Sequence, residues 1–250
     1  RTERVFRRAT GITAHTAAFL EWGLEYADRT QLVDDGVFPF GYRLLPVTSD
    51  ALEQGRNKWR EAGLDPNRFR VLYSGQLIDQ LDMGPVWHAA RELPQCEFVL
   101  AGEGQARAKF ERQSSHLQNV RFTGWLNQAE LQAAMEISQV GLMPYKPRVS
   151  FAASIPNKAN EYMANALPII WSIPYGELAE VLSREACGKT YSAQEPGALL
   201  ALLRSAEASR EEWKSMGERG FDLYQREYRA EEIYPRFVQA LESTVARRYP

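Results

Sequence analysis

Only two cysteines, Cys96 and Cys187, occur in 250 residues. They stand in apolar surroundings without metal-ligand spacing, so no disulfide framework is expected and a reduced, cytoplasmic setting is favoured. No stretch approaches the ~18 consecutive apolar residues of a membrane span, and the chain does not open on a signal-peptide pattern. Positive charge is not in excess: 30 Lys and Arg stand against 32 Asp and Glu, so no basic field recommends nucleic acid as a partner. Neither an internal repeat nor a low-complexity segment is visible. What is present suits a soluble globular protein, since 44% hydrophobic residues are enough for a real core. The length fits one large domain, or one domain with part of another. The sequence begins at Arg1, without Met, in what reads as mid-helix, and is expected to be a piece of a longer protein.

The first third is irregular. Residues 2–9 and 16–26 read as helices, 11–14 as a very short strand, and 31–33 as a further strand before the turn at Asp34-Asp35-Gly36. Residues 37–46 have no period and contain Pro39, Gly41 and Pro46, which predicts a linker. Residues 57–62 look helical and end at Gly63. From residue 70 the pattern becomes regular. Apolar runs at 71–73, 98–101, 120–122, 140–143 and 169–171 alternate with helical stretches at 85–92, 106–114, 128–137 and 157–165. Short strands buried on both sides and separated by helices predict an α/β fold, a Rossmann-like parallel sheet covered on both faces. A strand at 189–191 and helices at 196–206, 210–224 and 230–246 follow.

Ligands of such sheets sit beyond the carboxyl ends of the strands, so the loops there are the places to search. After the first strand of the regular part, Gly75 permits close backbone approach, and free N–H groups there would suit an anion; a plain βα turn is the alternative. "AGEGQ" after the second is a weak two-glycine match without a full dinucleotide fingerprint. After the third, Asn127 and Glu130 form a capping box, and Trp125 reads either as a flank for a nucleotide base or as core. After the fourth, "MPYKPRVSFAAS" is a long, Gly-free loop with Tyr145, Lys146 and Arg148, stiffened by two prolines but without secondary structure of its own. It runs into "SIPNKANEYMANALPII". Pro156 suits a helix start. Lys158 is unfavourable beside the positive pole of that start unless an anion is present, and Glu161 follows one turn later. An exposed ion pair between the two is the plain alternative.

"PNKANEYMANALPII", followed by "GELAEVL" and "ACGKTY", resembles the donor half of retaining glycosyltransferases of family 4, which have the GT-B fold. "VLYSGQL", "FVLAGEGQ", "NVRFTGWL" and "VGLMPY" precede it in that family's order, so the resemblance spans residues 70–237. "RRATGITAHTAAFLEWGL" resembles the closing segment of the family's acceptor-binding domain. The resemblance implies four parts: residues 1–46 as a remnant of that domain, 47–69 as linker, 70–229 as the nucleotide-sugar domain, and 230–250 as a crossover helix. It implies a nucleoside-diphosphate-sugar donor, a glycan or lipid-linked acceptor, retention of configuration, and a place in polysaccharide biosynthesis. No cofactor and no metal are expected. The setting implied is cytoplasmic, with peripheral attachment to the inner membrane surface through the preceding domain.

Carried over by position, Glu161 binds ribose hydroxyls, while Lys158 and the N–H groups near Ser154 and Asn157 hold the diphosphate. Gly75 and Gln76 approach the diphosphate from the other side, and Trp125 flanks the base with Tyr145 nearby. Two positions depart from the family. Ala153 stands where its first motif Glu would fall, and Gln76 replaces the usual Arg, with no Lys a few residues on. Lys158 is then expected to carry the charge, with Lys146 or Arg148 in support. A nucleotide-sugar epimerase and a non-catalytic nucleotide-sugar-binding module are the rival readings.

Overall fold

The computed structural model describes residues 2–65, 67–195 and 197–248. Helices α1 (Thr2–Arg8) and α2 (Ala17–Ala27) enclose a two-stranded parallel pair, β1 (Thr13–Ala14) with β2 (Gly36–Val37). After α3 (Ser49–Glu61) comes the regular alternation: β3 (Arg70–Ser74), α4 (Gly84–Glu92), β4 (Glu97–Ala101), α5 (Arg107–Ser114), β5 (Val120–Gly124), α6 (Gln128–Glu136) and β6 (Val140–Met143). It continues through α7 (Val149–Ala152), α8 (Asn157–Ala164), β7 (Ile169–Trp171), α9 (Glu177–Arg184) and β8 (Gly188–Thr190). The chain closes with α10 (Ala198–Ala208), α11 (Arg210–Leu223), a π-helical turn at Tyr224–Tyr228, and α12 (Ala230–Arg248).

Strands β3 to β8 form one parallel sheet in the order β5-β4-β3-β6-β7-β8. The order reverses between β3 and β6, and a crevice opens there at the carboxyl ends. Successive side chains of a strand point to opposite faces. In β3, Val71 and Tyr73 accordingly enter the core beneath α4, α5 and α10, while Leu72 enters the core shared by α3, α6, α8 and α9. Every residue of β3 and β4 is buried, which is why the strands read as unbroken apolar runs. At the amino end of β3 the buried Arg70 donates from Nη2 to Glu97 Oε2 of β4 at 2.6 Å and from Nη1 to Ile137 O at 2.7 Å.

The first third is tied to this body at several points. Tyr42 N donates to Tyr228 O at 2.8 Å and Ala230 N to Tyr42 O at 3.1 Å, so the outgoing and returning chain segments run side by side. Thr16 Oγ1 donates to Ala153 O at 2.6 Å, and the Ala18 amide to Glu177 Oε1 at 2.8 Å. Helix α12 lies over the small pair, with Phe237 against Phe38 and Thr244 Oγ1 donating to Asp34 Oδ1 at 2.8 Å.

Three local expectations are corrected. Residues 31–33 are not a strand: the Leu32 amide donates to Asp35 Oδ2 at 2.6 Å and Asp35 N to Leu32 O at 3.1 Å, closing a turn, and the strand comes after it. Arg29 pairs with the same carboxylate and, together with the Leu32 and Ile12 amides, holds its pKa down to about 2. Helix α3 starts eight residues before 57, because Thr48 Oγ1 caps it by accepting from the Ala51 amide. Its polar first turns hid a buried stripe, in which Trp59 Nε1 donates to Glu130 O of α6 at 2.9 Å. The loop after β6 contains the single helical turn α7.

Breaking a buried pair by removing one partner leaves the other charge poorly compensated, here by the more distant Arg121 Nε at 3.4 Å alone. Arg70→Met is therefore expected to cost about 3 kcal/mol in urea unfolding at pH 7. Adding Glu97→Leu should recover most of that loss.

Candidate functional site

A cleft of about 670 Å³ opens beyond the carboxyl ends of β3 and β4, beside the switch point, and Gly75, Gln76, Trp125, Asn157, Lys158 and Glu161 line it. Six expected residues from three separate stretches thus meet in one place. Trp125 is 72% exposed, so it is a cleft wall and not core. Gln76 is exposed at the rim.

The loop after β3 is built on close approach. Gly75 has φ +135° and Gly102 φ +139°, conformations that favour glycine. A Cβ on Gly102 would strike Gly75 O, and one on Gly75 would strike Lys158 Nζ. The Gly75 amide is not free for an anion, since it donates to Ala101 O at 2.7 Å. What Gly75 supplies is room for the lysine.

Helix α8 begins at Asn157, with Pro156 at the cap position and no side-chain hydrogen bond to its first turn. Lys158 is half-buried as a residue, but its ammonium is closely surrounded by protein. That desolvation pushes its pKa down to about 8, with Glu161 pulling it back up. Its nitrogen sits 5.1 Å from the centre of the Tyr73 ring and 5.9 Å from that of Tyr162. Among the described residues no ion pair joins Lys158 to Glu161, so the exposed-pair alternative does not describe this helix. Glu161 instead accepts from Ser74 Oγ at 3.1 Å. Tyr42 lies beside it, and burial followed by the nearby Glu161 charge raises the pKa of its phenol.

Two expected residues lie outside the lining of the cleft. Tyr145 packs against Trp171 and Phe151, with ring centres 5.6 and 4.9 Å away, because its backbone bridges to Leu81 and turns the ring into the core. Ser154 closes the end of α7, donating from Oγ to Phe151 O at 3.3 Å. The supporting cations are also elsewhere: Lys146 Nζ donates to Asp79 O at 2.7 Å, and Arg148 is the cap of α7. Ala153 is occupied with Thr16 and does not line the cleft.

Tyr42, Ser74, Gly102 and Glu103 also line the cleft and had not been singled out for it. Ser74 ends β3 and Gly102 directly follows β4, and that position was a usable signal. Tyr42 carried none, since the contact that places it is with residues 228–230.

A family model described as "Glycosyl transferases group 1" matches residues 68–206. Comparison with curated proteins finds no match. Among solved structures, sucrose-phosphate synthase from Thermosynechococcus elongatus superposes with a TM-score of 0.79 at 19% identity, over 98% of this chain and 60% of that one. Anabaena Alr3699/HepE, solved in complex with UDP, gives 0.77 at 15%, over 96% and 65%. A glycosyltransferase from Rickettsia africae gives 0.77 at 11%, over 97% and 66%. The chain thus spans about three-fifths to two-thirds of the length of these structures.

A desolvated lysine costs stability only while it is protonated. Its folded pKa lies below the unfolded one, so the folded state sheds this proton first and gains stability as pH rises from about 8 towards ~10.4. Lys158→Met should therefore melt at or above the wild-type temperature at pH 7, and the difference should shrink between pH 8 and 10 in thermal scans.

Proposed function

The chain belongs to the group 1 glycosyl transferases, and from that premise we propose that its cleft holds a nucleoside-diphosphate sugar whose sugar passes to a glycan or lipid-linked acceptor. The observation that carries the reading is one ammonium over Gly75 and one carboxylate a helical turn away, both in the cleft beside the switch point. Lys158 meets the diphosphate, and Glu161, oriented by Ser74, accepts from the two ribose hydroxyls. Trp125 flanks the base, and Asn157 and Gln76 border the phosphates. Complexes of Alr3699/HepE with UDP and UDP-glucose support this class of donor.

The finer reading is a retaining enzyme of family 4, acting in polysaccharide biosynthesis on the cytoplasmic side of a membrane. No helix among the described residues is long and apolar enough to cross a membrane; attachment through a preceding domain is part of the proposal. So is the division into an acceptor-domain remnant (1–46), linker (47–69), donor domain (70–229) and crossover helix (230–250). The exposed stripe Tyr234, Val238, Leu241 and Val245 on α12 supports it, as does the small cluster around Ile12, Leu20 and Ala27, too few residues for a core of their own.

A second reading is favoured by Gln76 and the missing Lys after it, which leave the leaving diphosphate with less charge stabilisation, and by Ala153, which offers the sugar no carboxylate. It is a module that binds nucleotide sugar without turning it over. A labelled donor distinguishes transfer from retention of intact donor.

Binding itself is tested by calorimetric titration with UDP, GDP, ADP and dTDP and their nucleosides. Removing a charged hydrogen-bond partner costs ~1.5–3 kcal/mol, about ten- to a hundredfold in affinity. Lys158→Ala should lose that much for the diphosphate and little for the nucleoside, while Glu161→Ala should weaken both. Affinities near wild type in all four combinations would overturn the assignment.

A further inference from the structure

We propose that Tyr73, which does not line the cleft, is a positioning residue for Lys158: its ring, with that of Tyr162, is the seat that presents the ammonium to a diphosphate. The proposal rests on the reading that Lys158 meets that group.

The seat is built from both cores at once. Tyr73 belongs to the core under α4 and Tyr162 to the core under α8. Each phenol is tied to the backbone around the loop after β3. Tyr73 OH donates to Gln76 O at 2.7 Å; Tyr162 OH accepts from the Ser74 amide at 3.0 Å and donates to Leu72 O at 3.2 Å. Gly141 of β6 has no side chain, and a Cβ there would strike the Tyr162 ring, so that ring lies close against the sheet. Both rings are held in place before any ligand arrives.

An ammonium so enclosed would ordinarily be paired with a carboxylate. Among the described residues Lys158 has no such pair, although Glu161 is on its own helix. Glu161 is held by Ser74 instead. The difference matters for an anion. A carboxylate partner would neutralise the charge and occupy its N–H donors, so an incoming phosphate would have to displace it. Aromatic faces favour the cation through their quadrupole and supply no hydrogen-bond acceptor at the ring face. The donors remain available towards the cleft. The titratable groups facing Lys158 are Glu161 and Tyr162 on α8 and Tyr73 on β3, with Tyr145, after β6, behind Tyr73. Burial raises the pKa of all three phenols, so they stay neutral around pH 8 and add no competing charge. An arriving diphosphate restores the proton that desolvation loosens, so binding takes up a proton above pH 8.

The test uses the whole chain, with Tyr73→Phe keeping the ring and Tyr73→Leu removing it. In the free protein, the Lys158 Hε resonances, assigned through Lys158→Arg, should show an upfield ring-current displacement that Tyr73→Phe retains and Tyr73→Leu loses. With whichever of UDP, GDP, ADP and dTDP binds tightest, Tyr73→Leu should lose about five- to tenfold in affinity. Its nucleoside affinity and both affinities of Tyr73→Phe should stay within about twofold. In a Lys158→Ala background the loss on Tyr73→Leu should vanish, because the two changes act through one interaction. An equal loss for nucleoside and diphosphate, a loss that persists without Lys158, or a Tyr73→Phe that behaves like Tyr73→Leu would each overturn the role. If the displacement is present but none of the diphosphates binds the wild type, the reading of the cleft fails and the positioning role falls with it. If the displacement is absent, the seat itself fails.

Discussion

Strand β3 must be buried on both faces, and most of what the site does depends on that constraint. A strand in the middle of a parallel sheet has no solvent side, so its alternate residues have to satisfy two different cores. Leu72 does so towards α8 and Tyr73 towards α4. Because neither core can shift without the other, the loop that leaves β3 emerges at a fixed height above the sheet. Two phenols hold its first residues, and Gly75 is then pressed against Gly102 on one side and Lys158 on the other. A side chain at 102 would meet the Gly75 carbonyl, and one at 75 would meet the Lys158 ammonium.

The two ends of β3 handle buried charge in opposite ways. At the amino end Arg70 is paired within the fold: Glu97 takes its charge, and the carbonyls of Ile137 and Asp65 take further donors. Such an arrangement is inert, since most of its donors are spent inside the fold. At the carboxyl end Lys158 keeps its donors and accepts a weakened hold on its proton. The contrast separates a charge paired inside the fold from one that has no carboxylate partner among the described residues. Lys146 and Arg148, the other cations expected near the cleft, are directed elsewhere.

The parallel sheet was legible from residue 70 onward because its strands are short and apolar, and turns separate them from helices. The bounds expected for β6 and β7 agree with those observed, and the others differ by one or two residues. The meeting of Gly75, Trp125, Lys158 and Glu161 was legible too, because position after a strand in such a sheet implies position at one edge. Legibility failed where a side-chain hydrogen bond or a contact with another element decided the outcome. Asp35 turned the stretch Gln31-Leu32-Val33 into a turn, Thr48 began a helix in a polar stretch, and Tyr145 was drawn inward by Leu81 and Trp171. The orientation of Tyr73 was hidden for the same reason: within the strand it is one more apolar residue, and only α8 shows what its ring is facing.

The pairing of Tyr42 with Tyr228 and Ala230 has a consequence for how the molecule is made. Tyr42 is one wall of the cleft, yet the amide and carbonyl that hold it are matched by groups almost two hundred residues later. Contacts so far apart in sequence form late, after most of the chain is in place. On the ribosome the sheet and the lysine can assemble as their segments emerge, but the Tyr42 wall waits for the turn before α12. The cleft of a nascent chain therefore stays open on that side until residues 228–230 have emerged. A chain clipped before residue 228 would keep its sheet and lose the shape of its cleft.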